Sequence, residues 1–230
     1  MPDPTTAERD HAATLRWAAV ALATGGVLLA LYPALRPYSD ETTLDGANAM
    51  ASGRWALSHL AGMLAFILMP LGLIGLRAAV DGTPGRRPLT AAFLTAWFGA
   101  GLALPYYGGE VFGLQAISEE SVRTGDTELL TLADSVRMDA VPATVFSVAM
   151  LLFAATGVLV ALAVARSGRT ARWLGLPFGA ALVLYLPQFF GGPPLRIAHG
   201  VLAAVGFLLL ARWLLTGSPR GDAERPAPPA

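Results

Sequence analysis

Six nearly charge-free apolar runs dominate this chain of 230 residues. A bilayer core about 30 Å thick needs roughly 20 helical residues at 1.5 Å rise each, and runs of that length occupy residues 14–34, 55–76, 89–107, 141–165, 171–190 and 195–215. They are too long and too uniformly apolar for the amphipathic helices of a soluble bundle, which keep a polar face. Composition agrees: 54% of residues are hydrophobic and 14% charged, against about 25% charged in soluble domains. The fold class expected is therefore all-α, an integral membrane bundle of six transmembrane helices. The apolar part of the first run is longer than a signal peptide's and no small-x-small cleavage site follows it, so it is read as a retained helix.

Charge excludes some partners and orients the chain. Sixteen basic residues balance sixteen acidic ones, which leaves no basic footprint for nucleic acid. With no cysteine, disulfides, thiolate chemistry and Cys-ligated metal centres are absent. All the basic residues are arginine. Placing the N-terminus inside puts Arg9, Arg16, Arg77, Arg86, Arg87, Arg166, Arg169, Arg172, Arg212, Arg220 and Arg225 on the cytoplasmic side. Arg36, Arg54, Arg123, Arg137 and Arg196 then lie outside. Cytoplasmic loops carry the arginine excess, so both termini are expected in the cytoplasm. Four arginine–tryptophan pairs, Arg16-Trp17, Arg54-Trp55, Arg172-Trp173 and Arg212-Trp213, mark span ends as interfacial anchors.

Two outer connections are long enough to hold interfacial helices. The first, residues 36–54, predicts a short helix around Leu44, Ala47 and Met50, with Ser52 capping the second span. The second, residues 108–140, predicts a helix after Thr124-Gly125-Asp126 with Leu129, Leu130, Ala133 and Val136 on one side. The transmembrane domain is thus expected over 14–217, between a tail at 1–13 and a disordered, proline-rich tail at 218–230. Small residues at Gly175 and Gly179, Ala96 and Ala100, and Gly157 and Ala161 offer flat faces for helix packing.

Polar side chains gather toward the outer face. All five tyrosines, Tyr32, Tyr38, Tyr106, Tyr107 and Tyr185, belong there, as do His59, Glu110, Gln188, Arg196 and His199. Ionisable groups inside spans are costly and usually mark function. Pro105-Tyr106-Tyr107-Gly108-Gly109 is expected to kink or break the third span, and 188–196 to be non-helical. Irregular backbone at membrane depth needs protein or a water-filled cavity beside it. An outward-facing cavity follows, with Glu110, His59 and His199 as candidate acid–base groups and Tyr32, Tyr106, Tyr107, Tyr185, Gln188 and Arg196 as candidate ligand contacts. The alternative is an aromatic belt with two interfacial histidines bonded to backbone carbonyls. Spans one–two also echo spans five–six: Arg-Trp begins the first of each pair, Tyr and Pro close it, and a histidine opens the second.

Three function classes fit. One is an accessory or ligand-binding membrane protein. A second is an enzyme that uses histidine and glutamate acid–base chemistry on an isoprenoid or other lipid-like substrate. Membrane terpene cyclases offer a fold-level analogy for it, with none of their motifs present. The third is a haem- or metal-binding module ligated by His59 and His199, although no metal motif appears and the sequence names no cofactor. A transporter would need polar residues near the midplane, where there are few. Partners expected are the bilayer and a lipophilic small molecule.

The stretch Leu31-Tyr32-Pro33-Ala34-Leu35-Arg36-Pro37-Tyr38, the run from Leu104-Pro105-Tyr106-Tyr107-Gly108-Gly109-Glu110 to Ile117, and the six-span layout resemble a group of small six-span bacterial membrane proteins. The resemblance implies a bacterial inner-membrane location and brings no activity or catalytic residue with it.

Overall fold

In a computed structural model, which describes residues 4–216, the chain is helical with no strand among the described residues. The elements are α1 (Pro4–Leu35), α2 (Leu44–Met50), α3 (Gly53–Ala79), α4 (Arg86–Gly108), a π-helical turn (Gly109–Gly113), α5 (Leu114–Thr124), α6 (Leu130–Met138), α7 (Ala140–Ser167), α8 (Leu176–Val183) and α9 (Pro193–Thr216). Single 3-10 turns cover Arg172–Gly175 and Pro187–Phe190. Among the described residues five helices are long and apolar enough to cross a membrane: Glu8–Leu35, Gly53–Ala79, Arg86–Thr124, Ala140–Ser167 and Pro193–Thr216. Helix α1 already begins at Pro4, so residues 4–13, assigned to the N-terminal tail, extend the first helix. The expected disordered segment 218–230 lies outside the described residues.

Further expected features come out differently, among them residues 193–196, which already belong to α9 where irregular backbone is expected. The third span does not break at Pro105. The helix absorbs the proline and continues through the π turn to Gly125, whose φ of 71° closes α5. A π turn takes in one extra residue, and such turns occur often at functional sites. The fifth run, by contrast, is no continuous helix. Pro187 has no N–H and its ring clashes with the carbonyl four residues back, and α8 stops at that residue, Val183. The segment still follows α7 for most of its length. A Cβ at Gly175 would stand 2.9 Å from the Ala161 Cα, while near the other end Phe189 meets the Phe146 ring at 5.5 Å.

Two of the three small-residue pairs read in the sequence, Gly157 with Ala161 and Gly175 with Gly179, meet each other. A Cβ at Gly157 would lie 2.7 Å from the Gly179 carbonyl oxygen, and one at Gly179 would lie 3.2 Å from the Ala161 Cβ. Lipid supplies no hydrophobic drive between helices, so this close backbone approach is what joins them.

The two long connections, residues 36–52 and 109–139, hold short helices. Thr43 caps α2 by accepting from Gly46 N at 3.3 Å, and Ser52 caps α3 by accepting from Trp55 N at 3.3 Å. Leu130 and Ala133 of α6 bury against Ala47, Met50, Trp55 and Leu114, a small cluster separate from the main core. Of the four tryptophans read as anchors, Trp17 and Trp173 are exposed. Trp55 and Trp213 are buried, which corrects the anchor reading for that pair: each packs inward, Trp213 into the main core and Trp55 into the smaller cluster.

Candidate functional site

Trp55 stands at the base of the site. It lies in the first turn of α3, fully buried, and its indole N–H donates to the Glu110 carbonyl oxygen at 2.8 Å. That bond ties α3 to the π turn of the third span. Two guanidiniums flank the ring, Arg36 Cζ at 4.6 Å and Arg137 Cζ at 5.6 Å from its centroid. Cations over a tryptophan face are attracted by the ring quadrupole, most strongly where water is excluded.

Four charged side chains form a chain of ion pairs beside the indole, in the order Arg36, Glu41, Arg137, Glu110. Arg137 donates through Nε and Nη2 to the two Glu110 carboxylate oxygens at 2.7 and 2.8 Å. Its Nη1 donates to Glu41, whose other oxygen accepts from Arg36 at 2.8 Å. The fork-to-fork geometry of Arg137 and Glu110 is the strong form of such a pair. Burial alone would disfavour the Arg137 cation, but Glu110 and Glu41 raise its pKa above the ordinary arginine value. Glu110 is 6% exposed. Removing either member would leave an uncompensated buried charge.

His59 sits one turn below Trp55. Its Nδ1 lies 2.8 Å from the Trp55 carbonyl oxygen. A carbonyl can only accept, so Nδ1 carries the proton and Nε2 points at Glu110 Oε2, 3.7 Å away. Rings enclose this imidazole: Trp55 at 4.4 Å, Tyr32 at 5.3 Å and Tyr107 at 5.8 Å. The Tyr107 hydroxyl is 3.2 Å from the Tyr185 hydroxyl, and the Tyr185 ring in turn meets the His199 edge at 5.3 Å.

A cavity of about 860 Å³ opens beside these groups. Tyr32, Tyr38, Tyr106 and Tyr107 line it together with His59, Glu110 and Arg196. Its apolar side is made by Phe146 of α7 and by Leu186, Phe189 and Phe190 of the interrupted fifth segment. Tyr38 donates to the Pro33 carbonyl oxygen at 2.9 Å, and its ring is approached by Arg36 at 5.5 Å and Arg196 at 6.0 Å. Burial pushes the Tyr38 hydroxyl pKa up, although the two arginines oppose the shift, so it stays a neutral donor.

Not every residue singled out in the sequence reaches this cavity. Tyr185, Gln188 and His199 are buried but do not line it. Tyr185 forms a layer behind Tyr107. His199 Nε2 donates to the Ala181 carbonyl oxygen at 2.8 Å, one of the carbonyls left open where α8 ends. Conversely, Arg36, Glu41, Trp55 and Arg137 are central and escape sequence reading. One available signal is spacing: Trp55 and His59, like Tyr32 and Arg36, stand four apart and therefore share a helix face. Nothing local couples Glu110 to Arg137, 27 residues away. Among the described residues no group of three or more His, Cys, Asp or Glu side chains is placed to hold a metal ion.

No protein-family model, curated protein or solved structure matches the chain.

Proposed function

We propose that this is a multi-pass membrane protein that binds a lipophilic small molecule in a cavity at the outer end of its bundle. The observation that carries the reading is the combination of a roomy cavity, about 860 Å³, with a wall of aromatic rings and charged side chains, Arg36, Glu41, Arg137 and Glu110 being paired with one another. Ligand pockets have that anatomy: a mostly apolar lining and a few fixed polar groups. The interrupted segment 172–190 supports a sixth crossing, because it follows α7 from Ala161 to Phe146. The arginine distribution supports cytoplasmic termini and an outward cavity. A bacterial inner-membrane location rests on the resemblance alone.

Binding is favoured over acid–base catalysis by the state of Glu110. Both of its oxygens accept from Arg137, so the carboxylate is held ionised as an anchor for α6. His199 is engaged as a cap for α8. His59 alone keeps a ring nitrogen directed toward the charged wall, and we assign it to orienting the ligand.

The test is native mass spectrometry of protein released from its own membranes in mild detergent, comparing wild type with Ala143→Trp, which places an indole in the cavity wall. A stoichiometric small-molecule adduct on the wild type that is lost from the variant is the expected result. Bare polypeptide in both, or an equal adduct on both, would overturn the reading.

A further inference from the structure

The chemistry of the lining narrows the class of ligand, and this step rests on the binding function proposed above. Three arginines, Arg36, Arg137 and Arg196, face the cavity against two carboxylates, Glu41 and Glu110. Arg137 donates from each of its three nitrogens to one of the two glutamates, and each glutamate has both oxygens engaged. A cationic ligand would find no free carboxylate. An anionic one would find unused donors. Arg196 makes no ion pair among the described residues; its Nε and Nη2 donate to the Gly191 and Phe189 carbonyl oxygens at 3.1 and 2.7 Å, which leaves Nη1 without a hydrogen bond. Arg36 is hydrogen-bonded through Nη2, to Glu41, which leaves its Nη1 without a hydrogen bond; its Nε is buried and also has no partner. Both guanidiniums lie within 6.0 Å of the Tyr38 ring centroid, so they converge on one corner of the cavity.

Beside Arg196, whose Cζ lies 5.6 Å from the Phe189 ring centroid, the lining turns apolar. Phe146, Leu186 and Phe189 form a wall, and the rim residues Phe190 and Met138 are 88% and 72% exposed. Next to Phe190, Gly191 and Gly192 also line the cavity, and a Cβ at Gly192 would meet nothing closer than 3.9 Å. Beyond Pro187 the rim is thus apolar, open at Gly192 and filled beside Gly191 by the Leu195 side chain.

We propose that the ligand is an amphiphile with an anionic head of the phosphate class. Arg196 and Arg36 hold the head beside Tyr38, and the hydrocarbon chain leaves sideways past Phe146, Phe189 and Phe190. Guanidinium forks match a multi-oxygen anion geometrically. The aromatic wall and the rim have a role only if a chain is attached to that anion.

The experiment uses the full chain in neutral detergent and three probes that separate head from tail: dodecyl phosphate, dodecanol and inorganic phosphate. Dodecyl phosphate is expected to bind saturably, at least tenfold more tightly than dodecanol, with inorganic phosphate competing only weakly. Arg196→Gln is expected to weaken dodecyl phosphate about tenfold and dodecanol less than twofold, and Arg196→Lys, which keeps the charge, to restore most of the difference. Equal affinity for dodecyl phosphate and dodecanol would overturn the anionic head while leaving the cavity reading intact. Inorganic phosphate binding as tightly as dodecyl phosphate would overturn the amphiphile in favour of the free ion. No saturable binding of any probe would count against the binding function itself.

Discussion

The site turns on a few side chains whose burial depends on each other. Glu110 could not stay charged at 6% exposure without the Arg137 fork, and Arg137 in turn needs both glutamates. Glu110→Gln should lower unfolding stability in detergent by about 3–5 kcal/mol, the usual effect of stripping one partner from a buried pair. Pairing it with Arg137→Met should recover most of the loss, because the second change removes the stranded cation; chemical denaturation of the two variants checks this. If the double variant were as unstable as the single one, the chain of ion pairs would not be acting as a charge-paired unit. Sequence revealed the costly groups here but not their pairing. His59, Glu110 and the tyrosines stand out as polar residues in apolar runs, whereas Trp55 reads as an interfacial anchor because its Arg54 neighbour and span-end position fit that role. Its real partners, Arg36 just past the end of α1 and Arg137 in α6, are far from it in the chain, and no local pattern encodes such contacts.

Helices were legible wherever apolar length was the signal, and least so where proline and glycine had to be weighed. Pro105 and Pro187 look alike in sequence. The first is carried by a helix that continues through a π turn, and the second ends α8 four residues earlier. Tertiary support separates them: the turn after Pro105 is fastened by the Trp55 indole and the Arg137 fork, while beyond Pro187 the Gly191-Gly192 pair ends the last 3-10 turn. The echo between the two halves survives as geometry, since Tyr32 meets His59 and Tyr185 meets His199 at the same 5.3 Å. It does not extend to the backbone, because α1 is continuous and its counterpart is interrupted. Packing of α7 on the interrupted segment depends on absent side chains. Gly157→Leu should therefore destabilise by about 1–3 kcal/mol or more, whereas Gly101→Leu, where a Cβ meets nothing within 4 Å, should change the melting temperature little. Similar losses in both would show that Gly157 matters for reasons other than close approach.

At the scale of the molecule the two ends of the bundle are unlike. One end holds all five tyrosines, the chain of ion pairs and the cavity. The other is tied by Arg169, which donates to the Ala79 and Asp81 carbonyl oxygens at 3.0 and 2.8 Å, and it carries the exposed Asp81–Arg86 pair. In this cysteine-free chain, Asp126→Cys is expected to react with an impermeant thiol reagent from outside intact cells, and Asp81→Cys only after the cells are opened. The reverse pattern would turn the cavity toward the cytoplasm. The most direct measurement of the central claim is electron cryomicroscopy of the wild-type chain in lipid nanodiscs made from its native membranes. The account predicts continuous non-protein density in the cavity, broad beside Arg196 and Tyr38 and narrowing past Phe146 and Phe189 toward lipid. A well-resolved map with the cavity collapsed, or holding only isolated waters, would contradict it.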